Sequence, residues 1–187
     1  MLKKIGIAVL VVLAALAVVI TTRPGEFKIA RSRNMAASPD VVYTYVSDFH
    51  KWQEWSPWEK LDPSMKKEFS GAASGTGAVY SWTGNDKVGE GRMTITESRP
   101  PESVTIRLEF LKPWTATNTT QFDFAPSSGG TKVTWSMSGH NNFVSKAFSL
   151  FMDMEKMIGP DFERGLESLD KATAAAAKTT AATPPSP

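Results

Sequence analysis

The sequence predicts an α+β domain: an antiparallel sheet of six or seven strands, two short helices after the first strand, a long C-terminal helix, and a transmembrane helix in front. Three observations carry this. Residues 5–20, IGIAVLVVLAALAVVI, contain no charged or strongly polar side chain. Between Met65 and Gly139 apolar and polar residues alternate with period two, in runs separated by turn-forming residues. From Asn141 to Lys171 apolar residues recur every three or four positions, the mark of one broad helix face.

Lys3 and Lys4 precede the apolar run, which with Thr21 and Thr22 reaches 18 residues, near the lower limit for a helix crossing the hydrocarbon layer. Residues 1–4 are read as a cytoplasmic N-terminus and 5–22 as an uncleaved signal anchor. This makes the chain a single-pass inner-membrane protein whose domain lies in the periplasm or outside. The alternative is secretion after signal-peptide cleavage at Ala15-Leu16-Ala17. The anchor is preferred because apolar residues continue past that site and no polar stretch precedes it. Residues 23–26 form a linker in which Pro24 and Gly25 end the helix. The connection TTRPGE spans at most ~20 Å, so the domain of residues 27–171 begins at the membrane surface. Residues 172–187, ATAAAAKTTAATPPSP, lack hydrophobic periodicity and are expected to form a disordered tail.

Phe27, Ile29 and Met35 mark a first strand. Ser38-Pro39-Asp40 then starts a helix over Pro39–Ser47: serine to cap free N–H groups, proline for the first turn, aspartate against the positive dipole end. A second helix from Phe49 to Trp55 stops before Pro57. It lies in DFHKWQEWSPWEK, where Trp52, Trp55 and Trp58 stand at every third position. Trp52 and Trp55 share a helix face, and Trp58 falls in the following loop. The strands are clearest where Val104, Ile106, Leu108 and Phe110 alternate with Thr105, Arg107 and Glu109, and where Val133, Trp135 and Met137 alternate with Thr134 and Ser136. Weaker alternation covers 78–83, 91–96 and 115–124, and short connections such as TGNDKVG, SRPPES, LKP and PSSGG imply an antiparallel meander. In the last element Phe148, Phe151, Met154, Ile158, Phe162, Leu166 and Leu169 form the apolar face. Gly159-Pro160 predicts a kink or break, with Asp161 and Glu163 suiting a fresh N-terminus.

Composition excludes several functions. Without Lys3 and Lys4 the chain has 19 basic and 19 acidic residues, so it lacks the basic excess that nucleic acid requires. Cysteine is absent, which removes disulfides, thiolate metal sites and a cysteine nucleophile. The two histidines, His50 and His140, are too few for a zinc site without two well-placed carboxylates. Asp48 and His50, two apart, are not helix neighbours. No G-x-S-x-G elbow is present, and the glycines of SGAASGTGAVY and VGEGRM lack the G-K-S/T ending of a phosphate loop, so both read as turns or bulges. No cofactor is expected.

The segments FKIARSRNMAASPDVVYTYVSDFHKWQEWSPWEK, LDPSMKKEFSGAASGTGAVYSWTGNDKVGEGRMTI and LFMDMEKMIGPDFERGLESL, in this order of elements, resemble the START-like (SRPBCC) superfamily. Within it they look like the polyketide cyclase/dehydrase group, and like its bacterial membrane-anchored members with a W-SPWEKLDP signature. The resemblance covers about Phe27 to Leu169. It implies a helix-grip fold, a curved antiparallel sheet wrapped around the long C-terminal helix, with an apolar ligand held between them; a few such proteins catalyse cyclisation or hydrolysis. On this architecture the expected cavity residues are Trp55, Trp58, Tyr80, Trp82, Met93, Asn118, Phe122, Phe124, Trp135, Met154, Met157 and Ile158. A wall of aromatic rings and methionines suits a hydrophobic small molecule or lipid. The expected function is noncatalytic binding by a membrane-tethered module. The alternatives are a cyclase- or hydrolase-like enzyme using groups among Glu54, Glu59, Arg92 and His140, and an interaction domain with a filled core; no protein partner is legible.

Overall fold

The computed structural model describes residues 2–141, 143–150 and 153–181. A helix α1 (Leu2–Thr21) is followed by strand β1 (Glu26–Met35), helix α2 (Pro39–Ser47) and a 3₁₀ helix over Phe49–Glu54. Six more strands run as a meander: β2 (Lys66–Gly71), β3 (Ala78–Thr83), β4 (Glu90–Arg99), β5 (Ser103–Lys112), β6 (Ala116–Ser127) and β7 (Gly130–His140). Helices α3 (Phe143–Phe148) and α4 (Met154–Ala181) close the described chain. The sheet order is β1-β7-β6-β5-β4-β3-β2, antiparallel throughout. This is the helix-grip arrangement, with the sheet curled about α4.

The inner face comes from the alternation in the sequence. Val104 and Ile106 of β5, Phe122 and Phe124 of β6, and Val133, Trp135 and Met137 of β7 are all buried. Register places Phe122 beside both Val104 and Trp135, so one lateral row of apolar side chains crosses three strands. From α4, Phe162, Leu166 and Leu169 press onto this row. Trp52 and Trp55, both buried, enter from the 3₁₀ helix, and their indole N–H groups donate to Val46 O at 3.0 Å and Tyr45 O at 3.2 Å. The tryptophan motif thus closes one end of the core while its polar atoms stay paired.

Several local expectations are corrected. The break in the last helical segment lies between Phe148 and Met154, and α4 runs unbroken through Pro160. Asp153 Oδ1 accepts from the Glu155 and Lys156 amides, so the fresh N-terminus forms there. Arg31 on β1 pairs with Glu155 and Glu163, on the turns to either side of Pro160, at 2.6 Å each. Gly159 permits this, since a Cβ there would collide with the Arg31 guanidinium. Arg33 binds Asp170 at 3.0 Å farther along the same helix. Phe151 lies outside the described residues. Ser38 takes the N-cap position of α2 without a side-chain hydrogen bond, leaving Pro39 and Asp40 to mark that start.

The expected tail boundary also moves, because α4 continues to Ala181, ten residues past Lys171. Alanine supports the helix, and the fully buried Thr173 returns its hydroxyl to Leu169 O at 2.9 Å. Asp48 and His50 do meet despite their spacing: Asp48 caps the 3₁₀ helix, and its Oδ1 lies 2.9 Å from His50 Nδ1.

Trp55 is 1% exposed and packs against Trp52, Phe122 and Trp135. Trp55→Ala is expected to lower stability by about 3–5 kcal/mol, read as a reduced urea midpoint with an unchanged slope.

Candidate ligand cavity

The sheet and α4 do not fill the space between them. On the β3 to β6 side lies a cavity of about 210 Å³. Its floor is the inner face of the meander: Tyr80 and Trp82 of β3, Met93 of β4, Leu108 and Phe110 of β5, and Met137 and Trp135 of β7. Its roof is Trp58 with Ile158 and Phe162 of α4. Register explains the floor, since Tyr80, Met93 and Leu108 are successive cross-strand partners and therefore point the same way. The Glu90–Gly91 step carries a β-bulge, and Gly91 makes room for the Trp82 ring, which a Cβ there would strike. The Trp82 indole donates to Val88 O at 2.9 Å, which ties the β3–β4 turn to the cavity rim.

Six of the residues expected from the sequence line this space: Trp58, Tyr80, Trp82, Met93, Trp135 and Ile158. The other six lie elsewhere. Trp55, Phe122 and Phe124 are solid core, covered by α2, the 3₁₀ helix and the rings beside them. Asn118 lies on the inner face, but its amide turns to the Met137 sulfur at 3.9 Å. Met157 is one residue, about 100° of helix rotation, off the buried stripe, and Met154 opens the first turn; both are exposed. A shared strand or helix period cannot separate a cavity wall from packed core, because both need apolar residues at the same phase.

Of the polar candidates named from the sequence, Glu59 lies in the cavity lining. Glu59, its side chain 7% exposed, accepts from the Tyr80 hydroxyl at 2.7 Å and forms an ion pair with Lys67 of β2. Glu59 and Tyr80 both line the cavity. Burial pushes the Tyr80 phenol well up, and the Glu59 carboxylate adds to it, so Tyr80 remains a neutral donor. The Ser56 and Thr120 hydroxyls also lie in the lining and have no hydrogen-bond partner among the described residues. Trp135 Nε1 is likewise buried without an acceptor among them. The SPWEK run held the clue to Glu59, since a carboxylate directly after an inward tryptophan has an apolar site to avoid or a partner to find.

The remaining enzyme candidates do not converge on this space. Arg92 and Arg107 share Glu109 on the sheet, at 3.4 and 2.9 Å. His140 pairs with Glu26 at 3.1 Å, and both side chains are exposed. Glu54 is exposed beside Tyr45. Among the described residues no cluster of three metal-ligating side chains occurs.

A curved antiparallel sheet gripping a long C-terminal helix, with an apolar cavity between them, is the helix-grip class of fold. The chain belongs to the polyketide cyclase / dehydrase and lipid transport family, whose sequence model matches residues 26–174. Solved structures agree on the fold at low identity. Protein CV1439 from Chromobacterium violaceum superposes with a TM-score of 0.57 at 15% identity, over 78% of this chain and 96% of that one. Protein SA2116 of unknown function from Staphylococcus aureus gives 0.61 at 11% identity, over 82% and 96%. The di-domain ARO/CYC StfQ of the steffimycin biosynthetic pathway gives 0.58 at 11%, over 82% of this chain and 52% of that one. No curated protein matches the sequence.

Asp62 joins two segments that carry cavity-lining residues. Its Oδ1 accepts from the Ser64 hydroxyl at 2.7 Å and the Ser64 amide at 3.0 Å, and its Oδ2 from the Asn85 amide at 2.7 Å. These bonds join the loop bearing Met65 to the turn bearing Lys87 and Val88, all in the lining. The Ser64 hydroxyl, and after it the Asn85 amide, hold the Asp62 carboxyl below the usual carboxylate range. A depressed folded-state pKa stabilises above the ordinary value of about 4, and the contribution is lost as pH falls through the folded value. Asp62→Ala is expected to speed hydrogen exchange at the Ser64 and Asn85 amides at neutral pH, and wild type to approach the variant only in strong acid.

Proposed function

We propose that this protein is a membrane-tethered module that binds one small apolar molecule in the cavity between sheet and α4, without catalysing its conversion. The observation that carries the reading is an unfilled space of about 210 Å³ walled by aromatic and methionine side chains. A dry apolar cavity of about 150 Å³ accommodates benzene, so this one suits one or two rings or a short acyl segment. The unpartnered hydroxyls of Ser56 and Thr120 favour a ligand with an oxygen-bearing end. Family membership supports a hydrophobic ligand. Among the described residues α1 is the one helix long and apolar enough to cross a membrane. We read it as the anchor, with the domain held beyond the inner membrane by the four residues between Thr21 and Glu26.

One observation favours a second reading. Glu59 and Tyr80, within hydrogen-bond reach of each other in the cavity, are a proton-handling pair that an enzyme could use. In the binding reading they anchor a polar end instead, with Lys67 holding the second oxygen of the Glu59 carboxylate.

Leu108→Trp places a large ring in the cavity and is expected to abolish uptake of small apolar ligands from a panel, followed by intrinsic fluorescence, while the thermal transition is kept. Unchanged uptake by this variant would place the ligand elsewhere. Glu59→Gln is expected to weaken binding of oxygenated ligands by several-fold. Turnover of any panel compound by wild type, lost in Glu59→Gln with its binding intact, would favour the enzyme.

A further inference from the structure

The strand ends fix which end of the domain faces the anchor. Glu26, where β1 leaves the linker, pairs with His140 at the end of β7. Following the sheet across, Asn118 pairs with Gly139, Phe110 with Ala116, Glu90 with Lys112, and Thr83 with Glu90. The β5–β6 loop and the β3–β4 turn therefore lie at the same end of the sheet as α1. So do three of the cavity-lining residues: Lys87 and Val88 belong to that turn, and Phe110 stands near the end of β5.

This end carries the largest exposed aromatic surface of the described domain. Trp114, in the β5–β6 loop, is 70% exposed and lies against Phe148 of α3, with ring centroids 5.7 Å apart. Phe148 is itself 48% exposed, and Leu111, Phe143 and Val144 are exposed with it. Helix α3 in turn touches the outer end of α1: Lys146 Nζ donates to Thr21 O at 3.5 Å, and the Asn141 amide beside α3 donates to Gly25 O at 2.8 Å. The patch is thus continuous with the end of the apolar helix.

We infer that Trp114, Leu111 and the apolar side chains of α3 form a platform that sits in the headgroup region of the bilayer and turns the β3–β4 end of the cavity lining toward the membrane. The inference rests on the proposed reading of α1 as a span. Three features commit the patch to lipid. It adjoins the anchor, its central ring is an amphipathic indole of the kind that settles at the membrane interface, and Lys146 on α3 with Arg23, two residues past Thr21, brings cations for lipid phosphates. Of the acids at this end, Glu26 and Glu90 are paired with His140 and Lys112, and Asp86 is next to Lys87 in the β3–β4 turn. The consequence is a route: an apolar ligand enters the cavity from the outer half of the bilayer without crossing water.

The chain has no cysteine, so single-cysteine variants of the full protein in phosphatidylcholine–phosphatidylglycerol vesicles test this directly. Environment-sensitive labels are placed at Trp114→Cys, Val144→Cys, Val12→Cys and Ser128→Cys. Ser128 lies in the β6–β7 turn, about 40 Å away along twelve-residue β6; Val144→Cys keeps both rings. The expected result is quenching by lipid-borne nitroxides at Trp114→Cys and Val144→Cys several-fold above Ser128→Cys, at a shallower depth than Val12→Cys. Water-soluble iodide reaching Trp114→Cys and Val144→Cys as freely as Ser128→Cys, with Val12→Cys shielded, overturns the platform while the anchor stands. Shielding of the platform positions from both quenchers overturns it too and assigns the patch to a protein contact. Iodide access at Val12→Cys overturns the anchor, and the platform with it.

Discussion

The fold depends on the seating of one ring, Trp135. Phe162 of α4 stacks on it at 4.2 Å with planes 5° apart, and Phe122 stacks at 4.8 Å. Trp55 and Trp58 meet it edge-on, each at 5.6 Å. Gly165 lets α4 come this close, since a Cβ there would press into the Trp135 ring. The ring therefore sets the height of the helix above the sheet. The buried N–H without an acceptor costs about 1–3 kcal/mol, which the surrounding aromatic contacts offset. Because α4 is held at ring height over β1 and β7, the space over β3 to β6 stays open, and the cavity follows from that spacing.

Seen this way, the three tryptophans of DFHKWQEWSPWEK have different duties. Trp52 and Trp55 are paired, buried struts under α2. Trp58, released from the 3₁₀ helix before it, reaches across to Trp135 and Phe162 and forms part of the cavity roof. Glu59 next to it turns inward to Tyr80. A single turn of chain thus supplies core, roof and polar anchor. Asp62, three residues on, ties that chain to the β3–β4 turn.

Sequence patterning revealed most of the architecture, since period two in β5 and β7 and the stripe Ile158, Phe162, Leu166 and Leu169 report burial directly. It failed where burial is absent or shared. β2 is exposed along its whole length, so it has no apolar alternation to read. α4 passes through Pro160 while Arg31, 129 positions upstream, bridges Glu155 and Glu163 on either side of it, a contact that local proline chemistry does not encode. Half of the expected cavity residues proved to be core or surface, because phase along an element reports which face a side chain joins and not whether that face is filled. Glu59 meeting Tyr80 and Lys67 needed the loop after Trp58 folded back over β3 and β2, a juxtaposition that spacing alone does not encode.

The central claim is that the space beside α4 is a binding site and not a packing gap. It is tested most directly by native mass spectrometry of the full chain released gently from the membrane in which it was made. The account predicts one discrete apolar adduct per chain, lighter than a two-chain phospholipid and dissociating without unfolding. The bare chain mass alone, unchanged after incubation with small apolar compounds, would contradict it.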